Sequence, residues 1–274
     1  MRKNWISYPY IVWMIIFIVV PLLLVVFYSV TVVTDNGLTF TLEFYKRFFQ
    51  PVYIKVLIRS IVLALISTLI CLLIGYPVAL ILAGKGFSRK NSLILLFVIP
   101  MWMNFLLRTY AWLTLLEKNG LINTLLSWFG IKPLSLLYTS EAVVLGMVYN
   151  FLPFMVLPIY SVLSKIDRSV IEAAEDLGAN SYKVFTKIIF PLSLPGVMSG
   201  ITMVFMPAVT TFVISRLLGG GQFTLIGNLI DRQFTTVGDW NFGSALSVVM
   251  MILILISMAI MSRYDKDREG SALL

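Results

Sequence analysis

The stretch Glu172-Ala173-Ala174-Glu175-Asp176-Leu177-Gly178 interrupts a chain that is otherwise mostly apolar. It lies in segment 164–191, the only long polar segment between two hydrophobic ones, and this segment carries four basic and four acidic side chains. Anionic lipid headgroups attract basic clusters, so an even mixture of charges favours contact with a protein instead. The hydrophobic segments on either side decide the fold class.

Composition predicts an integral membrane protein. Of the 274 residues 59% are hydrophobic and only 12% are charged, which is more apolar than a soluble domain of this length. A bilayer core requires about 20 apolar residues per helix. Segments of this kind occur at roughly 11–33, 56–83, 93–116, 142–163, 192–218 and 244–262. We predict an all-α fold with six transmembrane helices, forming one domain over residues 1–274.

The distribution of Lys and Arg predicts the orientation. Six basic residues lie in loops on one side of the six-helix arrangement, and twelve lie on the side that carries both termini: Arg2, Lys3, Lys85, Arg89, Lys90, Lys165, Arg168, Lys183, Lys187, Arg263, Lys266 and Arg268. Short loops rich in these residues remain cytoplasmic. Both termini and segment 164–191 are therefore expected in the cytoplasm, and the net charge of +8 requires no nucleic-acid partner.

Residues typical of catalysis are missing from the predicted helices. The sequence has no His and one Cys, Cys71, and all thirteen Asp and Glu residues lie outside the six hydrophobic segments. No nucleophile and base are therefore available at membrane depth for an enzyme. The run Gly219-Gly220-Gly221 lacks the following Lys and Ser or Thr of a phosphate-binding loop. A secondary transporter is an alternative, but it would normally carry ionisable residues within its helices.

Segment 164–191 has the local signals of two short helices joined by a turn. Asp167 is a suitable N-cap for a helix that runs to Leu177, and Gly178 can adopt the left-handed conformation that follows a helix. Ser181 can begin a second helix, which Pro191 is expected to end. On the first helix, a stripe of small and apolar residues recurs at helical spacing: Val170, Ala173, Ala174 and Leu177.

These residues resemble a known signature. Glu172-Ala173-Ala174, Gly178, Ile188 and Pro191 occur at the spacing of the EAA motif of type I ABC importer permeases, although Phe190 replaces the usual Leu. The resemblance implies a permease domain in a bacterial inner membrane, with segment 164–191 as its ATPase-coupling loop. The implied coupling residues are Glu172, Ala173, Ala174, Asp176, Leu177, Gly178 and Pro191.

Other short motifs are most similar to the B-type permease subunits of spermidine/putrescine importers. They are Gly75-Tyr76-Pro77, Ile99-Pro100-Met101-Trp102-Met103-Asn104, Arg108-Thr109-Tyr110, Phe151-Leu152-Pro153-Phe154-Met155 and Leu225-Ile226-Gly227-Asn228. Permeases for thiamine, iron, sulfate or opines share several of them. The resemblance implies a second homologous permease subunit, two ATPase subunits that bind ATP and Mg²⁺, and an extracytoplasmic binding protein. It implies no cofactor on this chain.

Two groups of residues are candidates for the substrate pathway. If the third segment is one helix, Trp102, Phe105, Thr109 and Trp112 share a face, and their rings suit a polyamine because ammonium groups bind over aromatic faces. Packing is the alternative role. In the fifth segment Thr202 and Thr210 lie on a polar stripe that either lines the pathway or bonds to a neighbouring helix. Arg108 is expected to face a carboxylate or water.

Overall fold

A computed structural model describes residues 8–34, 37–84 and 90–269. Within these residues a two-stranded antiparallel hairpin, β1 (Thr31–Thr34) and β2 (Gly37–Phe40), accompanies a set of helices. In chain order the helices are α1 (Tyr8–Val30), α2 (Glu43–Phe48), α3 (Pro51–Ala83), α4 (Lys90–Trp102), α5 (Phe105–Leu116), α6 (Leu121–Trp128), α7 (Ser140–Leu163), α8 (Arg168–Asp176), α9 (Ser181–Thr210), α10 (Val213–Leu218), α11 (Ile226–Arg232) and α12 (Trp240–Glu269).

The membrane assignment is confirmed by helix length and composition. Five helices in the described part of the chain are long and apolar enough to cross a bilayer, namely α1, α3, α7, α9 and α12. A bent pair, Ser92–Trp102 and Phe105–Trp128, provides a sixth span if its two parts are counted together. The cytoplasmic position of the termini remains a prediction, and Arg2, Lys3, Lys85 and Arg89 lie outside the described residues.

The core is built around α7, which packs against both α3 and α9. Glycines allow close approach: a Cβ on Gly75 of α3 would lie 3.0 Å from the Met155 side chain, and one on Gly196 of α9 would lie 2.9 Å from the Pro158 carbonyl oxygen. Helices in a bilayer associate through such small-residue contacts because lipid provides no hydrophobic driving force between them. The buried Tyr76 hydroxyl also lies 2.9 Å from the Ser193 hydroxyl, joining α3 to α9.

The third span differs from the prediction of one helix. It is broken at residues 103–104, and its two parts are bent by 95°. The break follows from Asn104, whose Oδ1 accepts the Leu106 N–H at 2.8 Å and so caps a new helix. Pro100 lies within α4 and does not end it.

The fifth span also differs from its predicted limits. Pro191 does not end the second loop helix, because α9 runs from Ser181 through Pro191 into the membrane. A π-helical turn at Phe185–Ile189 precedes the proline; such a wider turn makes room for a ring that would otherwise clash with the preceding turn. At its other end α9 stops at Thr210, short of the expected residue 218, and α10 begins after a break.

The segment between the first two spans forms a small cap at one end of the helices. The two hairpin strands are a local exception to the all-α prediction, residues 35 and 36 between them lie outside the described residues, and helix α2 follows the second strand. Arg47 of α2 forms an ion pair of 2.8 Å with Asp239. Its guanidinium also lies 4.1 Å from the centre of the Phe242 ring, which fastens α2 to the start of α12.

Candidate coupling loop and translocation site

The first helix of the coupling loop begins with the predicted cap. The Asp167 carboxylate accepts the Ser169 backbone N–H at 3.0 Å. Hydrogen bonds from Ser169, mainly from its backbone N–H and then from its side chain, hold the pKa of Asp167 below its ordinary value. The cap therefore stays ionised at neutral pH. A negative charge at this position also stabilises the positive end of the helix dipole.

The end of α8 has the predicted left-handed glycine. Gly178 has φ +81°, and its N–H bonds the Glu175 carbonyl at 2.9 Å while the Ala179 N–H bonds the Ala174 carbonyl at 3.0 Å. This pair of hydrogen bonds is the Schellman motif, which satisfies carbonyls at the end of a helix. Asn180 then caps α9 through the Lys183 N–H at 2.9 Å. The turn between the two loop helices is therefore fully specified by local hydrogen bonds.

The apolar stripe of α8 faces away from the rest of the chain. No residue of this helix is buried, and Leu177 at its end is 89% exposed. Val170 and Ala173 are also exposed, and Ala174 is half-buried. Glu172 beside the stripe pairs with Arg168 at 3.4 Å, and both side chains remain accessible. A helix that leaves its apolar face uncovered outside the membrane has the form of an element that inserts into a partner.

The four predicted pathway residues of the third span do not share a face. Trp102 ends α4 and is 79% exposed, whereas the other three lie on α5 beyond the break. Thr109 is fully buried, and its hydroxyl donates to the Phe105 carbonyl at 2.9 Å. The Trp112 ring packs against Tyr149 of α7 with a centroid distance of 5.3 Å. The expectation of one aromatic face is therefore wrong, because it assumed a continuous helix.

The two predicted threonines of the fifth span have different surroundings. The half-buried Thr202 donates to the Met198 carbonyl at 2.9 Å and lies 3.0 Å from the Met261 sulfur of α12. Thr210 is exposed at the end of α9, where it lines a cavity of about 330 Å³. The remaining lining residues are Phe212, Ile226, Gly227, Ile230, Asp231 and Met250.

Asp231 is a candidate site residue that the sequence analysis did not single out. Its carboxylate lines the cavity and accepts a hydrogen bond from the Arg216 guanidinium. The cavity lies beside the break after Thr210, where the end of α9 presents carbonyl groups with partial negative charge. The Asp231 carboxylate and these carbonyl groups together are suited to binding a cation. A signal was present in the sequence: Arg216 and Asp231 flank the run Gly219-Gly220-Gly221, which allows the chain to turn back.

Arg108 has no carboxylate partner among the residues that the structure describes. Its side chain lies on α5 and is only 7% exposed, and neither Nε nor Nη1 has a hydrogen-bond partner among the described residues. The Phe105 ring centre lies 6.0 Å from the guanidinium carbon.

Comparison with known proteins assigns the chain to a family. Residues 75–269 match the family described as the inner membrane component of binding-protein-dependent transport systems. This match covers more than half of the chain, and the chain belongs to that family. It is therefore a multi-pass inner membrane protein and a transmembrane permease subunit of an ABC importer.

Individual relatives cover almost the whole chain. It is 38% identical over 246 residues to the spermidine/putrescine transport system permease protein PotB of Escherichia coli K12, covering 88% of this chain and 90% of the relative. It is 39% identical over 261 residues to PotB of Haemophilus influenzae, covering 93% and 91%. Among solved structures, a bacterial ABC transporter that imports alginate has a chain with the same fold, with a TM-score of 0.80, 17% identity and 96% coverage of both chains.

Proposed function

We propose that this chain is one of two homologous permease subunits in an ATP-driven importer of polyamines. In this assembly two ATPase subunits bind ATP and Mg²⁺, an extracytoplasmic binding protein delivers the substrate, and this chain binds no cofactor and catalyses no reaction. Identity of 38–39% to permeases named for spermidine and putrescine, over about nine tenths of both chains, supports this substrate class.

The coupling role of residues 164–191 is supported by the exposed stripe of α8. Ala173 and Leu177 present small and apolar surface, and the neighbouring Glu172 and Asp176 add charge at its edges. We assign Glu172, Ala173, Ala174, Asp176, Leu177 and Gly178 to the contact with an ATPase groove. Pro191 has a different role, because it lies inside α9, the helix through which a displacement of α8 reaches the membrane.

The cavity beside Asp231 carries the polyamine proposal. A polyamine is a flexible chain of methylene groups with several ammonium groups, and this cavity offers a carboxylate, the Thr210 hydroxyl and the apolar walls that such a chain needs. Phe212 adds an aromatic ring for cation–π attraction. In this structure the Arg216 guanidinium forms an ion pair with the Asp231 carboxylate. The Arg216 side chain is 55% exposed, so solvent weakens the pair and an arriving ammonium group can replace Arg216.

The positions of the other pathway candidates support a division of roles. We assign packing within the chain to Phe105, Thr109 and Trp112 because they lie on the buried side of α5. Thr202 joins α9 to α12. Trp102 has the exposure that substrate contact requires, and Thr210 lines the cavity.

The test is uptake by proteoliposomes that contain the complete importer. Asp231→Asn should lower spermidine uptake roughly tenfold, because a hydrogen bond to a charged group contributes about 1.5–3 kcal/mol. Glu141→Gln is the matched control, since this exposed acid at the start of α7 does not line the cavity; its uptake should be unchanged.

Competition identifies the substrate class. Unlabelled spermidine and putrescine should compete, whereas thiamine and ferric iron should not. Failure of both polyamines to compete would overturn the substrate assignment. Uptake that continues without ATP would instead favour a secondary transporter.

A further inference from the structure

A second cavity, which we call the loop cavity, lies between the coupling loop and the ends of two membrane spans. It has a volume of about 350 Å³, and its walls are the end of α3, the end of α7, the start of α8 and Ile189 of α9. Pockets that bind small ligands measure about 300–1,000 Å³. The loop cavity shares no lining residue with the cavity at Asp231, so it is a separate candidate site.

The loop cavity lies at the level of the lipid headgroups. Helix α7 has 24 residues and is about 36 Å long at 1.5 Å per residue, whereas the hydrocarbon core of a bilayer is about 30 Å thick. Leu163, the last residue of α7, and Ser164 after it both line the cavity, and so does Ala83, where α3 ends. A ligand bound here would therefore contact both headgroups and the ends of acyl-facing helices.

The walls of the loop cavity are mostly apolar. Ala83, Leu163 and Ile171 belong to them. Ile171 is half-buried and lies on the side of α8 opposite to the exposed Ala173, because two residues along a helix correspond to about 200° at 3.6 residues per turn. An ATPase that covers Ala173 and the exposed stripe therefore leaves the loop cavity unfilled. Apolar walls of this kind favour an apolar occupant over water.

Arg168 gives the loop cavity a positive charge. Its Nε lies 3.4 Å from the Glu172 carboxylate, and both side chains are accessible, so solvent weakens this pair. Its Nη1 and Nη2 have no hydrogen-bond partner among the residues that the structure describes. A guanidinium can bind a phosphate through two parallel N–H bonds. Lys165, which is exposed between the lining residues Ser164 and Ile166, adds a second positive charge.

The acidic residues of the coupling loop lie elsewhere. Glu172, Glu175 and Asp176 follow further along α8, and Asp167 accepts the Ser169 N–H; none of the four lines the loop cavity. The charge of the loop is even as a whole but positive beside the membrane, where basic residues attract anionic lipids. A soluble anion would match the charge and leave the apolar walls wet. An anionic phospholipid matches both at this depth.

We infer that the loop cavity binds an anionic phospholipid, with its phosphate at Arg168 and part of an acyl chain against Leu163 and Ile171. No residue of α8 is buried, so the rest of the chain gives this helix little support on that side. The bound lipid fills the space between α8 and the ends of α3 and α7 and holds the orientation of α8. The consequence for coupling rests on the proposed function, whereas the binding of lipid does not.

The lipid site is tested with a photoactivatable phosphatidylglycerol, reactive in its acyl chain, in nanodiscs that hold the complete importer. Crosslinks mapped by mass spectrometry should occur at residues 80–84 and 163–171. Arg168→Gln should reduce them about fivefold, the loss expected for one basic residue at an anionic membrane surface. Lys183→Gln is the matched control, because this exposed basic residue of the same loop does not line the cavity; its crosslinks should be unchanged. Equal labelling of the two variants would overturn the site.

The identity of the occupant is tested by competition and by an uncharged probe. The corresponding photoactivatable phosphatidylcholine should label residues 163–171 less than phosphatidylglycerol does, and excess inorganic phosphate should leave the labelling unchanged. Equal labelling by the two lipids, or loss of labelling in phosphate, would overturn the assignment to an anionic phospholipid. Glu172→Gln removes the ion pair of Arg168 without removing its charge and should retain the label.

The shape of the loop cavity is tested by filling it. Ala83→Phe should abolish crosslinking at residues 163–171 although Arg168 is present, whereas Ile81→Phe, at an exposed position that does not line the cavity, should not. Phosphatidylglycerol should also slow amide hydrogen exchange at residues 168–176 in the unmodified complex and in Ile81→Phe, and have no effect in Ala83→Phe. Full labelling of Ala83→Phe would refute the site. Size exclusion controls for assembly, and because neither measurement involves transport, failure of the polyamine proposal is distinguishable from failure of lipid binding.

Discussion

The coupling loop can be perturbed at Gly178 without introducing a steric clash. A Cβ added there has no atom within 4 Å, and φ is +81°. The effect of Gly178→Ala is therefore confined to backbone strain, which is about 1–2 kcal/mol for a non-glycine residue in the left-handed region. Such a cost lowers the population of the observed loop conformation roughly 5- to 30-fold relative to alternatives. Asn visits this region more readily, so Gly178→Asn should lose less.

The expected result is a loss of coupling with little loss of protein. ATPase activity stimulated by the extracytoplasmic binding protein, and uptake per ATP hydrolysed, are measured in proteoliposomes that contain equal amounts of assembled complex. Activity should decrease in the order Gly, Asn, Ala at position 178, because the strain increases in that order.

A second glycine provides the control. Gly238 has φ +75° and also has no atom within 4 Å of an added Cβ, but it precedes α12, far along the chain from the loop. Gly238→Ala introduces the same strain at a position without a coupling role. Equal uncoupling by both alanine variants would show that general destabilisation is responsible. Normal coupling in Gly178→Ala would refute the argument that the left-handed turn positions α8.

Two further predictions concern stability and the helix cap. Gly196→Ala should lower the stability of the detergent-solubilised protein by about 1–3 kcal/mol, because the new Cβ would meet the Pro158 backbone oxygen at 2.9 Å; a thermal unfolding midpoint equal to that of the unmodified protein would contradict the close packing of α7 and α9. Asp167→Ala should destabilise α8 by about 1 kcal/mol and Asp167→Asn by less, since Asn retains an oxygen for the Ser169 N–H; faster amide hydrogen exchange at residues 169–171 in the Ala variant is the measurement, and equal exchange in both variants would contradict the capping role.

Local rules account for what the sequence predicts well. The cap at Asp167, the left-handed Gly178 and the start of α9 at Ser181 each depend on hydrogen bonds within a few residues, and each is observed. The hydrophobic spans likewise depend only on length and composition. Features that require two distant segments to meet were not predicted. The contact between Arg216 and Asp231 forms only after the chain turns back, and periodicity contains no information about that contact.

The same distinction explains why proline was a poor guide to the helix ends. Pro191 lacks an N–H, yet a π-helical turn precedes it and α9 continues. The helix ends instead at Thr210, three residues beyond Pro207, and the Thr211 N–H bonds the Pro207 carbonyl at 2.9 Å. In the break that follows, the Asn228 amide donates to the Phe212 carbonyl at 2.8 Å. A helix inside a membrane can stop only where its freed polar groups find partners. The break after Thr210 is therefore stabilised by side chains such as Asn228, which the fold brings from elsewhere in the chain, and not by the proline alone.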